Sequence, residues 1–145
     1  MQDNIYFDDE DRLEEVIVNR KQIRKIERSE SASFLTKTIK SHYNHILSQT
    51  ALENPNCTPE ILEEVLKRDV VDEMSYRAVK HKNCPVELLV ETYTHKDQWL
   101  KCGVLLNPNC PLYILIEVLN KFEDNAMSRS ALTNYKVPKY LKEEW

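Results

Sequence analysis

Three stretches of this chain align without a gap: Ala51-Leu-Glu-Asn-Pro-Asn-Cys-Thr-Pro-Glu-Ile-Leu62, Ala78-Val-Lys-His-Lys-Asn-Cys-Pro-Val-Glu-Leu-Leu89 and Val104-Leu-Leu-Asn-Pro-Asn-Cys-Pro-Leu-Tyr-Ile-Leu115. A weaker fourth copy runs Ala131-Leu-Thr-Asn-Tyr-Lys-Val-Pro-Lys-Tyr-Leu141. From Cys57 to Cys84, Cys110 and Val137 the steps are 27, 26 and 27 residues. A regular period of that size marks stacked supersecondary units, each too small to bury its apolar face alone. Apolar columns keep the register on both sides of the loop, with Leu47, Met74, Leu100 and Met127 before it and Ile61, Leu88, Ile114 and Leu141 after it.

Each unit reads as two antiparallel helices. Proline suits a first helical turn, where its missing N–H costs nothing, so helices are predicted to begin near Pro59, Pro85, Pro111 and Pro138. The run Ile61, Leu62, Val65, Leu66 recurs as Leu88, Leu89, Thr92, Tyr93 and as Ile114, Leu115, Val118, Leu119. This is the i, i+1, i+4, i+5 pattern of a helix buried on one face. A second, shorter segment, in part 3₁₀, is predicted from the N-caps Asn44, Asp72, Asp97 and Asp124 to Asn54, His81, Asn107 and Asn134. The first 50 residues hold neither Pro nor Gly. After the acidic run Asp8 to Asp11, Arg12 to Arg28 predicts an amphipathic helix with Leu13, Val16, Ile17, Ile23 and Ile26 on one side. A further helix from about Ser33 to Leu47 leads into the first unit. The expected fold is all-α: a right-handed superhelical solenoid of two-helix repeats with N-terminal capping helices. Residues 1–43 form the cap and 44–145 about three and a half repeats, as one structural unit.

The pattern Ala-Leu-x-Asn-Pro-Asn-x-x-Pro-x-x-Leu-Leu over about residues 44–145 resembles the variant leucine-rich repeat, an all-α superhelix of paired α and short helices. The period here is slightly longer, and His81-Lys82 stands where two other copies have Asn-Pro. Helical-pair repeats of the HEAT kind are the alternative. The resemblance implies binding of other macromolecules and no particular reaction.

The chemistry-bearing residues point the same way. The single glycine, Gly103, removes glycine-rich phosphate loops, and no H-E-x-x-H, G-x-S-x-G or P-loop motif is present, so no enzyme is predicted. Cys57, Cys84 and Cys110 sit one repeat apart, about 8–10 Å if helices stack. A disulfide needs Cα atoms about 4.4–6.8 Å apart. They read as a buried column that Val137 completes, and Cys102 lies outside it. His42 and His45 lack a third ligand at motif spacing, and neither metal nor cofactor is predicted. With 20 Lys+Arg against 24 Asp+Glu the net charge is −4, so no overall positive field draws the chain to nucleic acid or membrane. The absence of an apolar run long enough to span a bilayer, and of a signal-peptide pattern at Met1, predicts a cytoplasmic protein.

The predicted function is a non-catalytic macromolecular interaction module, a protein-binding adaptor or inhibitor. Asn54, His81, Asn107 and Asn134 must recur along one edge, where Asn suits a helix C-terminus. Around the exceptional His81, a positive patch of Arg77, Lys80, His81, Lys82 and Lys101 is predicted to receive an acidic surface of another protein. The alternative is a small nucleic-acid-binding regulator whose face is Arg20, Lys21, Arg24, Lys25 and Arg28. Trp99 and Trp145 are further interface candidates.

Overall fold

In the Asn-Pro-Asn-Cys loop, proline fixes φ at the second position of a tight turn, and the leading Asn side chain can bond the backbone two residues on. A computed structural model describes residues 20–41 and 45–145, and this turn recurs in all four copies. The N–H groups of Cys57, Cys84, Cys110 and Val137 donate to the carbonyls of Asn54, His81, Asn107 and Asn134 at 3.0–3.2 Å. The expectations placed on Asp8 to Asp11, Leu13, Val16, Ile17, His42 and Asn44 lie outside the described residues.

The chain is helical over 20–28 (α1), Ala32–Ser41 (α2), Ile46–Glu53 (α3), Pro59–Lys67 (α4), Glu73–Lys80 (α5), Val86–His95 (α6), Gln98–Leu106 (α7), Leu112–Leu119 (α8), Ala126–Thr133 (α9) and Lys139–Glu143 (α10). No strand occurs among the described residues, so the fold is all-α there. Pro59 opens α4 behind the N-cap Thr58, and Pro85, Pro111 and Pro138 are themselves the N-caps of α6, α8 and α10. Asp72 and Asp97 cap α5 and α7, each side chain accepting a backbone N–H.

Three local expectations are corrected. The cap of α9 is Asn125, which exchanges bonds with Ser128 in a capping box, while the neighbouring Asp124 pairs with Arg129 at 3.0 Å. The helix predicted over 33–47 is two helices: α2 ends at Ser41, and α3 starts behind His45, whose Nδ1 accepts the Leu47 N–H. The segments ending at the Asn/His column are ordinary α-helices of eight or nine residues, no shorter as a class than their partners.

Helix α3 packs on α5, α5 on α7 and α7 on α9, while α2, α4, α6 and α8 pack on α3, α5, α7 and α9 in turn. The seam is apolar: Ile61, Leu62 and Val65 of α4 and Met74, Ala78 and Val79 of α5 are at most 2% exposed. Burying each such large side chain contributes about 1.5–3 kcal/mol. Ala51, Ala78, Val104 and Ala131 form a fully buried column of small residues within the row. Gly103 does the same for one contact, since a Cβ there would lie 3.3 Å from the Tyr76 ring.

The Asn/His column turns inward and joins the copies. Asn54 Nδ2 donates to the Ile26 and Ser29 carbonyls at 2.8 and 2.9 Å, Asn107 Nδ2 to Val79 and His81 at 2.7 and 2.8 Å, and Asn134 Nδ2 to Leu105 and Asn107 at 2.8 and 2.9 Å. Each Oδ1 accepts the backbone N–H two residues on. His81 fills its rung as a neutral ring: Nε2–H donates to the Asn54 carbonyl at 2.8 Å, and Nδ1 accepts the Asn83 N–H at 3.0 Å. Asn56, Asn83 and Asn109 form a second file of donors, with Asn83 reaching the Pro55 and Cys57 carbonyls. Buried backbone carbonyls need donors, and these rungs supply them across the joint.

Candidate functional site

Helices α3 and α5 and the loops that follow them enclose a groove of about 360 Å³. Tyr76, on the first half of α5, forms part of its wall. The Tyr76 ring stacks on Trp99 of α7, with centroids 4.7 Å apart and planes within 10°, and packs close to Gly103 one turn beyond Trp99. Lys80 carries its Nζ 5.1 Å from the centre of the same ring, a cation–π contact. Arg77 reaches across to Glu53, the last residue of α3, while its Nε lies 3.6 Å from Glu73 Oε2. That Nε is buried and makes no hydrogen bond.

Arg77, Lys80 and Lys82 therefore come together at one groove. Two members of the patch do not join them at its surface. His81 borders the groove but is only 7% exposed, and both ring nitrogens are bonded within the ladder. Burial pushes its imidazolium pKa below the ordinary value, the bond to Asn54 opposes this, and Lys82 adds to the depression. Lys101 lies in a different groove, its Nζ 5.5 Å from the Tyr93 ring of α6. It takes the place that buried Ser75 holds one copy earlier, on the side of α7 facing the preceding helix. The groove is also less positive than its cations suggest, since Glu53 and Glu73 both line it.

The thiols are occupied by the core. Cys57, Cys84, Cys102 and Cys110 are free and buried, and burial pushes the first, second and fourth up to about 11, 12 and 11. A thiol so protonated is a poor nucleophile and a poor metal ligand. No group of His, Cys, Asp or Glu among the described residues is placed to hold a metal ion. No helix among them is long and apolar enough to cross a membrane.

On α1 the side chains of Arg20, Lys21, Arg24, Lys25 and Arg28 are all exposed. Lys25 covers the Phe34 ring at 5.1 Å. Trp145 stacks on Phe122 with centroids 5.7 Å apart, and both remain partly exposed. Tyr76, Glu53 and Glu73 were absent from the sequence-predicted patch. The pointer to Tyr76 was the lone glycine, which lies four residues after Trp99 and leaves room for an aromatic ring. No protein-family model, curated protein or solved structure matches the chain.

Proposed function

We propose that this protein is a non-catalytic interaction module that binds another protein through that partner's acidic surface. Its frame is a right-handed superhelical array of about three and a half two-helix repeats, of the variant leucine-rich kind, behind a cap at residues 1–43. The groove over α5 carries the reading. It gathers Lys80, Lys82, Arg77 and Tyr76, whose ring is stacked on Trp99, on elements fixed by buried rungs, and rigid placement of aromatic and cationic side chains favours recognition. Hydrogen bonds between successive copies, recurring at separations of 26–29 residues, support the array.

The test is capture of a partner from cell extract, followed by measurement with the purified pair. The double reversal Lys80→Glu and Lys82→Glu should cut the association rate about tenfold at low salt, with melting temperature unchanged. Unaltered affinity at low salt removes the groove from the interface.

A second reading rests on the exposed cations of α1, as a small nucleic-acid-binding regulator. Phosphate contacts would make binding to nonspecific DNA or RNA fall steeply with salt, and Arg20→Ala with Arg24→Ala would flatten that slope by about two. Absence of any slope discards this reading.

A further inference from the structure

Arg77 is held in a way that leaves its binding capacity unused. A guanidinium offers five N–H groups and is best matched by one carboxylate taking two of them in parallel. Here Glu53 takes Nη1, Glu73 stands 3.6 Å from Nε, and Nε donates to nothing. The Arg77 side chain is 27% exposed and that of Glu53, at the end of α3, 63%, and a pair so open on its carboxylate side is worth only about 1 kcal/mol. Glu53 therefore leaves easily. Lys80 and Lys82 beside it form no ion pair with an acidic side chain among the described residues. The groove's 360 Å³ accommodates one or two side chains of a peptide.

We propose that this groove takes an acidic segment of a partner protein, one of whose carboxylates replaces Glu53 on Arg77, and that Glu53 is a built-in competitor setting the affinity. This rests on the acidic-partner reading above and adds the residue that must be displaced. Lys80 and Lys82 hold neighbouring carboxylates of the segment, and Tyr76 supplies the wall against which its chain lies. Selectivity follows from the competitor: a neutral segment gains nothing on Arg77 that Glu53 does not already provide.

The chain carries its own reporter. Trp99 stacks on the groove's Tyr76, so in a Trp145→Phe background its emission reads occupancy. The probes are end-blocked hexaglutamate, hexaglutamine and inorganic phosphate at low ionic strength, with circular dichroism checking each variant's fold. Hexaglutamate should give a saturable change and hexaglutamine none, with phosphate far weaker. Glu53→Gln should tighten hexaglutamate about fivefold, the equivalent of an exposed pair. Lys80→Ala with Lys82→Ala should weaken it about tenfold. If the lysine changes weaken binding but Glu53→Gln does not tighten it, the competitor role is overturned and the acidic-partner reading stands. If Glu53→Gln itself binds no hexaglutamate, the groove is not the acceptor of an acidic segment, and a captured partner must use another face. Phosphate binding as tightly as hexaglutamate also overturns the proposal, since the groove would then be reading a small anion.

Discussion

His81 and Asn107 hold the same rung position one copy apart with different chemistry. Asn107 gives two amide N–H bonds to the preceding copy and accepts one from its own turn, whereas His81 gives one and accepts one. The position thus selects a geometry, a donor at the far atom and an acceptor at the near one, more than it selects a particular side chain. A neutral imidazole meets that geometry, and an imidazolium does not, because its Nδ1 then carries a proton toward the Asn83 N–H. Of the two copies that depart from Asn-Pro, the second is the one whose Lys80, Lys82 and Tyr76 line the groove.

Replacing an asparagine rung should break the comparison most severely. Asn107→Asp keeps the shape but turns two buried donors into an anion facing two carbonyls, with an expected loss of roughly 4 kcal/mol in urea unfolding. A loss below about 1 kcal/mol would show that the rungs do not hold the joints. Acid should act next, and on the histidine rung. The folded-state pKa of His81 lies below its unfolded value of about 6.5, so the unfolded chain takes up the proton first and stability falls as pH drops from about 6.5 toward 5. Stability unchanged across that window would contradict the assigned tautomer.

His81→Asn sharpens the same point. A second donor should add about 1 kcal/mol at pH 7, and the variant's shallower acid profile isolates His81 from the other histidines. The smallest effect belongs to the column behind the rungs. Cys84→Val should change stability by less than about 1 kcal/mol, because Val137 already occupies the equivalent place in the fourth copy. The three remaining thiols of that variant should stay unreactive toward a disulfide reagent until the chain unfolds.

The helix starts at the prolines, the caps Asp72 and Asp97, the four C-caps and the apolar columns were legible because each follows from local backbone chemistry or period. The break between α2 and α3 was not: apolar spacing runs through it, and no Pro or Gly marks it. Asn54, His81, Asn107 and Asn134 were legible as helix ends, but their bonds to the preceding segment of chain depend on partners 25–29 residues away, which no local propensity encodes. The groove was half legible. Three of its cations fall close together in sequence. Lys101 misled because it was placed near the same edge as the α5 cations, although its alignment with Ser75 sets it on the other side of α7.

The rungs all point one way. The side-chain N–H groups of the column all donate backward, from Asn54 to the end of α1 and from His81, Asn107 and Asn134 to the copy before. A joint is therefore specified by the later copy's side chain and the earlier copy's main chain, and the main chain is the same whatever residues it carries. An in-frame gain or loss of one period by recombination would bring a donor to a fresh set of carbonyls already suited to it. Heredity could lengthen or shorten such a chain by whole units without inventing a new joint, leaving mutation free to alter the surface one unit at a time.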